Sequence, residues 1–210
     1  MNIILIGIQG CGKGTLVEGL KDKIDFSLIS SGQLLRDEVA TGSEIGKHIH
    51  KLQTEGLLVD FDIIVDLLEK KLKENTKPIL IFDGCPRNSA QADALDKLLK
   101  VDLVIHLNLS KDVAIDRLLS RLTCADCGYI TSKHAVSSDT CPQCCGKLVA
   151  RSDDTLEGIN KRFEIYEKET YPLLDRYKKL GVRVETIDSI DKTTTLNAVL
   201  KVLDEYNYQK

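Results

Sequence analysis

The sequence predicts an α/β fold, a doubly wound parallel sheet of about five strands with helices on both faces. Three observations predict it. The runs Ile3-Ile4-Leu5-Ile6, Pro78-Ile79-Leu80-Ile81-Phe82 and Leu103 to Leu109 are continuously apolar, as strands covered on both faces require. Segments with helical periodicity alternate with them. The first run also ends in a glycine-rich loop that opens a helix, so a ligand site is expected at the carboxyl ends of the strands.

That loop is Gly7-Ile8-Gln9-Gly10-Cys11-Gly12-Lys13-Gly14-Thr15. Glycines admit positive φ and close backbone approach, so Gly10, Cys11, Gly12, Gly14 and Thr15 can turn N–H groups toward phosphate oxygens at a helix N-terminus. Lys13 adds a point charge. The pattern G-x-x-x-x-G-K runs from Gly7 to Lys13, with Gly14 in the usual Ser/Thr place and Thr15 one later. The fold expectation becomes a P-loop NTPase-like sheet.

Val17, Leu20 and Ile24 mark the first helix, Phe26 to Ser30 a second strand, and Ser31 to Arg36 the start of another helix with Leu35 and Val39 on one face. Asp60 is a plausible N-cap for a helix carrying Phe61, Ile64, Val65, Leu68 and Leu72. The third strand ends in Asp83, the place of a carboxylate that orients magnesium, followed by Gly84-Cys85-Pro86-Arg87 and a helix containing Gln91. From Ser110, the residues Ile115, Leu118, Leu119 and Leu122 form an apolar helical stripe, which puts Arg117 and Arg121 together on a different face. Arg151, Asp153 and Asp154 precede a helix with Ile159, Phe163 and Tyr166 inward and Arg162 in its first turns. A strand from Val182 to Ile187 and a helix on Leu196, Val199, Leu200 and Leu203 close the chain. The alternation assigns 1–30, 61–121 and 161–210 to the core, with insertions at 31–60 and 122–160 as covers.

A chain of 210 residues with 42% hydrophobic and 29% charged residues is an ordinary globular composition, and a net charge of −3 gives no general attraction to nucleic acid or anionic membrane. No secretory or membrane segment is read, so a cytoplasmic location is expected. Of the 7 cysteines, Cys124, Cys127, Cys141, Cys144 and Cys145 crowd one segment. Cys124-x-x-Cys127 and Cys141-x-x-Cys144 have the spacing of a structural zinc site of four thiolates. Cys145 competes as ligand, but spacing favours Cys144. A nucleic-acid-binding zinc ribbon is the rival; Tyr129 as the one aromatic there, and acids offsetting the bases, count against it.

Together these residues resemble the adenylate kinases of the long-lid, zinc-bearing bacterial type. The likeness rests on the loop, Ser31-Gly32-x-x-Leu35-Arg36, Asp83-Gly84-x-Pro86-Arg87 with Gln91, Arg117 with Arg121, the knuckles, and Arg151-x-Asp153-Asp154 with Arg162. It implies reversible γ-phosphoryl transfer from magnesium ATP to AMP, giving two ADP; with no heptad or apolar edge signal and a net charge of −3, a monomer without nucleic-acid or membrane partners is expected. The implied AMP site comprises Ser31, Arg36, Leu57, Leu58, Val59, Gly84, Arg87, Gln91, Arg151 and Arg162, with Arg36 and Arg87 on the phosphate. Lys13, Arg121, Arg151 and Arg162 would gather on the transferred group, and Arg117 would lie against the ATP adenine. Gln9, Ser31 and Cys85 stand where the family usually has proline, threonine and phenylalanine. The alternatives are a kinase of UMP, CMP or GMP, and a zinc-bearing nucleotide sensor.

Overall fold

The structure is a computed structural model that describes residues 1–54, 59, 61–151 and 154–208. The parallel sheet comprises β1 (Asn2–Ile6), β2 (Phe26–Ser30), β3 (Ile79–Asp83), β4 (Leu103–Asn108) and β8 (Arg183–Asp188), in the order β2-β3-β1-β4-β8. The strand order reverses around β1, so the loop leaving β1 lies at the switch point where such folds bind ligands. The three inner strands, β1, β3 and β4, are nearly continuous in apolar character because helices cover both faces: Ile4, Phe82 and Leu103 are completely buried, whereas the edge strands β2 and β8 mix polar and apolar residues.

The covering helices are α1 (Lys13–Leu20), α4 (Phe61–Lys73), α5 (Ser89–Leu98), α6 (Lys111–Leu119), α7 (Leu156–Ile165), α8 (Leu173–Lys179) and α9 (Lys192–Tyr208). Leu16, Val17 and Leu20 of α1 and Val199 and Leu203 of α9 turn toward this core, as their spacing predicts. Between α7 and α8 lies a π turn, Tyr166–Thr170, closed by the Tyr171 N–H on the Tyr166 carbonyl at 2.8 Å.

The insertion after β2 forms α2 (Ser31–Ala40) and α3 (Glu44–Thr54). Their backbones meet at Gly46, where an added Cβ would collide with the Glu38 carbonyl. Residues 55–58 and Asp60, with the expected cap and the Leu57 and Leu58 contacts, lie outside the described residues.

The cysteine segment departs from the expectation. The helix stops at Leu119, the Ser120 hydroxyl donates back to the Asp116 carbonyl, and the chain turns into β5 (Arg121–Cys124). β5 pairs antiparallel with β6 (Ile130–Ser132) and β7 (Leu148–Val149). Leu122 therefore packs inside this small sheet while Leu119 is 43% exposed, and Arg121 does not share a helix face with Arg117. Alternation along β5 instead puts Leu122 and Cys124 inward and Arg121 and Thr123 on the other face.

Candidate functional site

The loop after β1 takes the shape its glycines allow. Gly10 and Gly12 have φ of 84° and 91°, and an added Cβ at Gly10 would come within 2.9 Å of the Ala114 carbonyl oxygen. Gly12 caps α1, whose first residue is Lys13. Lys13 Nζ donates to the Gly7 carbonyl at 2.6 Å, folded onto its own loop. Ser189, at the end of β8, donates to the Cys11 carbonyl at 2.6 Å, and Arg117 donates to the Ser189 and Ile190 carbonyls at 3.2 and 2.9 Å. Arg117 thus stays with the core, docked on the segment that braces the loop.

At the end of β3 a second constellation forms. Gly84, with φ 76°, turns a carbonyl that accepts from Ser31 Oγ at 2.7 Å and from Arg87 Nε at 2.8 Å. Asn88 caps α5 by accepting the Gln91 N–H, while Gln91 Oε1 accepts the Arg87 N–H at 2.7 Å, a capping box shifted by one residue. Arg36, exposed on α2, donates to Gln33 Oε1 at 2.7 Å and lies back along its own helix. Asp83 is half-buried, in register with Leu5 and Ser30, and its carboxylate has no partner among the described residues.

The third constellation joins separate segments. Asp154, its side chain only 4% exposed, accepts a bidentate pair from Arg121, Nε and NH2 both at 2.8 Å, and a further bond from Arg162 at 2.9 Å. Arg162 lies in the last turn of α7, not among its first turns. Arg151 donates to Thr123 Oγ1 at 3.0 Å, on the same face of β5 as Arg121. One carboxylate against several guanidinium groups leaves this corner positive, fixed before any anion arrives. Ile130 of β6 reaches the phosphate loop, with Cδ1 3.7 Å from the Cβ position of Gly14.

Beside the loop, His106 is buried between Tyr166 OH at 3.1 Å and Thr186 Oγ1 at 3.4 Å. Burial, then the charges of Lys13 and Lys178, push its pKa down. It lines a cavity of about 200 Å³ with Ile8, Lys111 and Tyr171.

The sulfur atoms of Cys124, Cys127, Cys141 and Cys144 all lie within 4.8 Å of one another, with Cys124–Cys144 and Cys127–Cys141 at 3.4 and 3.6 Å. Four thiolates about 2.3 Å from a tetrahedral ion would stand about 3.8 Å apart, so the cluster fits a metal. The Cys127 N–H holds the Cys124 thiol down to about 7. Cys145 stays outside the cluster with φ 63°, in the backbone role that Gly128, φ 73°, plays in the first knuckle.

The adenylate kinase family model matches residues 5–182. The chain belongs to the adenylate kinase family. An adenylate kinase of Caldicellulosiruptor bescii is 35% identical over 97% of this chain and 99% of its own. That of Thermodesulfovibrio yellowstonii is 36% identical over 98% and 100%, and that of Archaeoglobus fulgidus 32% over 97% and 96%. Sequence reasoning gave Asp154 no role of its own and missed Ser189, Thr123 and Ile130. No short motif marks these, because each acts by touching a segment far away in the chain. Among the described residues no helix is long and apolar enough to cross a membrane.

Proposed function

We propose that the chain transfers the γ-phosphoryl group of magnesium-bound ATP to AMP, reversibly, giving two ADP. The observation that carries this reading is the pairing of Arg121 and Arg162 on the buried Asp154 carboxylate. A phosphate acceptor is already ionised, so the reaction needs no general base; it needs two anionic nucleotides held in line and their charge neutralised. Arginines braced in advance supply that field without reorganising during the step.

In this reading the Lys13 ammonium leaves the Gly7 carbonyl for the donor's phosphates, while backbone N–H groups from Gly10 to Thr15 cradle them. Arg117 supports the donor side. Arg36 and Arg87 hold the acceptor phosphate, with Ser31, Gly84 and Val59 around it. Gln91 spends its carbonyl on Arg87 and keeps its NH2 for the base edge. The Asp83 carboxylate, without a partner among the described residues, would orient magnesium, which would supply charge neutralisation on the transferred phosphates. Residues 31–60 would cover the acceptor and 122–160 the donor, excluding water that would waste ATP. Cys124, Cys127, Cys141 and Cys144 would hold a structural zinc, with no open position for catalysis. The protein works as a cytoplasmic monomer.

The test is an acceptor panel: magnesium ATP with AMP, CMP, UMP or GMP, products separated by chromatography, with Arg87→Ala in parallel. ADP formation that prefers AMP and collapses in the variant is expected. Preference for another base would overturn the acceptor assignment, and no transfer to any acceptor would leave a nucleotide sensor.

A further inference from the structure

We propose that Thr170, in the π turn after α7, is a positioning residue that sets where Arg87 stands. The inference rests on the reading above, in which Arg87 holds the acceptor phosphate. A threonine in a helix can bond back to the carbonyl three or four residues earlier. Here the carbonyl four residues earlier, of Tyr166, takes the Tyr171 N–H. The Thr170 hydroxyl donates instead at 2.7 Å to the Arg87 carbonyl, 83 positions away.

Arg87 is thereby clamped along its backbone. Its N–H is held by Gln91 Oε1, its carbonyl by Thr170, and its Nε by the Gly84 carbonyl. The turn that presents Thr170 is itself anchored twice. Tyr166 OH lies 3.1 Å from buried His106 of β4, and Glu167 pairs with Lys111 of α6 at 2.7 Å. π turns of this kind recur at functional sites. α7 runs into this turn without a break and carries Arg162. One helical body therefore spaces the arginine braced by Asp154 from the arginine assigned to the acceptor, and the Thr170 hydroxyl is the contact that transmits the spacing.

Thr170→Val keeps the β-branched shape and deletes the hydroxyl; Thr170→Ser keeps the hydroxyl. Steady-state kinetics with each nucleotide varied, and thermal unfolding, are measured for both and for Arg87→Ala. Loss of one such bond should raise KM for AMP about five- to tenfold in Thr170→Val. KM for ATP should stay within about twofold and Tm near that of the parent, a split that one lost contact at the acceptor side implies. Thr170→Ser should restore the parent value. An unchanged KM for AMP, an equal rise for both nucleotides, or a serine variant as impaired as the valine variant would each overturn the role of Thr170. Arg87→Ala separates the two readings: if it leaves KM for AMP unchanged, the acceptor assignment falls and the inference with it. If it raises KM strongly while Thr170→Val is silent, only the inference falls.

Discussion

The parallel sheet buries Ile3, Ile4, Phe82, Leu103 and Ile105 to 1% exposure or less, under helices on both faces. The small antiparallel sheet encloses Leu122, Cys124, Cys141 and Leu148, with Tyr129 and Val136 packed against them. Half of those four enclosed residues are thiols of the four-cysteine cluster. The core is thus held by apolar burial, which any solvent condition short of denaturation preserves, whereas the cysteine segment has too little apolar surface to order itself. Two parts of one chain should then fail under different treatments.

Metal removal is the largest expected effect. A chelator, or Cys141→Ser, should unfold β5–β7 while the far-ultraviolet signal of the core persists, with loss of most phosphoryl transfer. Simultaneous collapse of both regions would break the contrast. Phe82→Ala, at a completely buried position of β3, should cost about 3–5 kcal/mol of global stability by denaturant titration and leave the four-cysteine cluster of the folded fraction intact. Asp154→Asn removes the charge that holds two guanidinium groups together. We expect kcat to fall about tenfold or more, with a stability loss below the about 3–5 kcal/mol of a fully buried pair, because Arg121 and Arg162 keep 17% and 23% exposure.

A smaller effect comes from His106. Its folded pKa lies below the ordinary 6.5, so the unfolded chain binds the extra proton first as pH falls. Its contribution is intact above pH 6.5 and is lost as pH drops through the folded value. Protonation would face Lys13 and Lys178 and disturb the bonds to Tyr166 and Thr186. His106→Gln should flatten that part of the stability–pH curve. The smallest effect should be Cys145→Gly: relief of the left-handed φ of 63° should raise the stability of the cysteine segment by about 0.5–1 kcal/mol, read as a later chelation midpoint.

The same contrast decides what was legible. β1, β3 and β4 were readable within a residue or so because burial on both faces writes itself as continuous apolar runs, and the edge strands β2 and β8 were placed as closely although they carry no such run. In the cysteine segment, Leu119 and Leu122 fit a helical spacing that the chain abandons at Ser120, since strands of two to four residues carry too few side chains to show alternation. The knuckles were legible because ligand spacing is local. The Asp154 carboxylate that holds Arg121 and Arg162 was not, because it joins a strand and a helix far apart in the chain, and only the resemblance places the two arginines together. Thr170 left no mark at all: a hydroxyl that bonds a distant carbonyl imposes no pattern on its neighbours.

The contact at Gly46 sets the grain of the helical pair after β2. With no side chain at Gly46, the α3 backbone packs directly on the α2 backbone at Glu38 and Val39, a contact that any added Cβ would push apart. The pair has the mechanical character of a single stiff plate, and its amide protons should exchange with solvent as one cooperative unit.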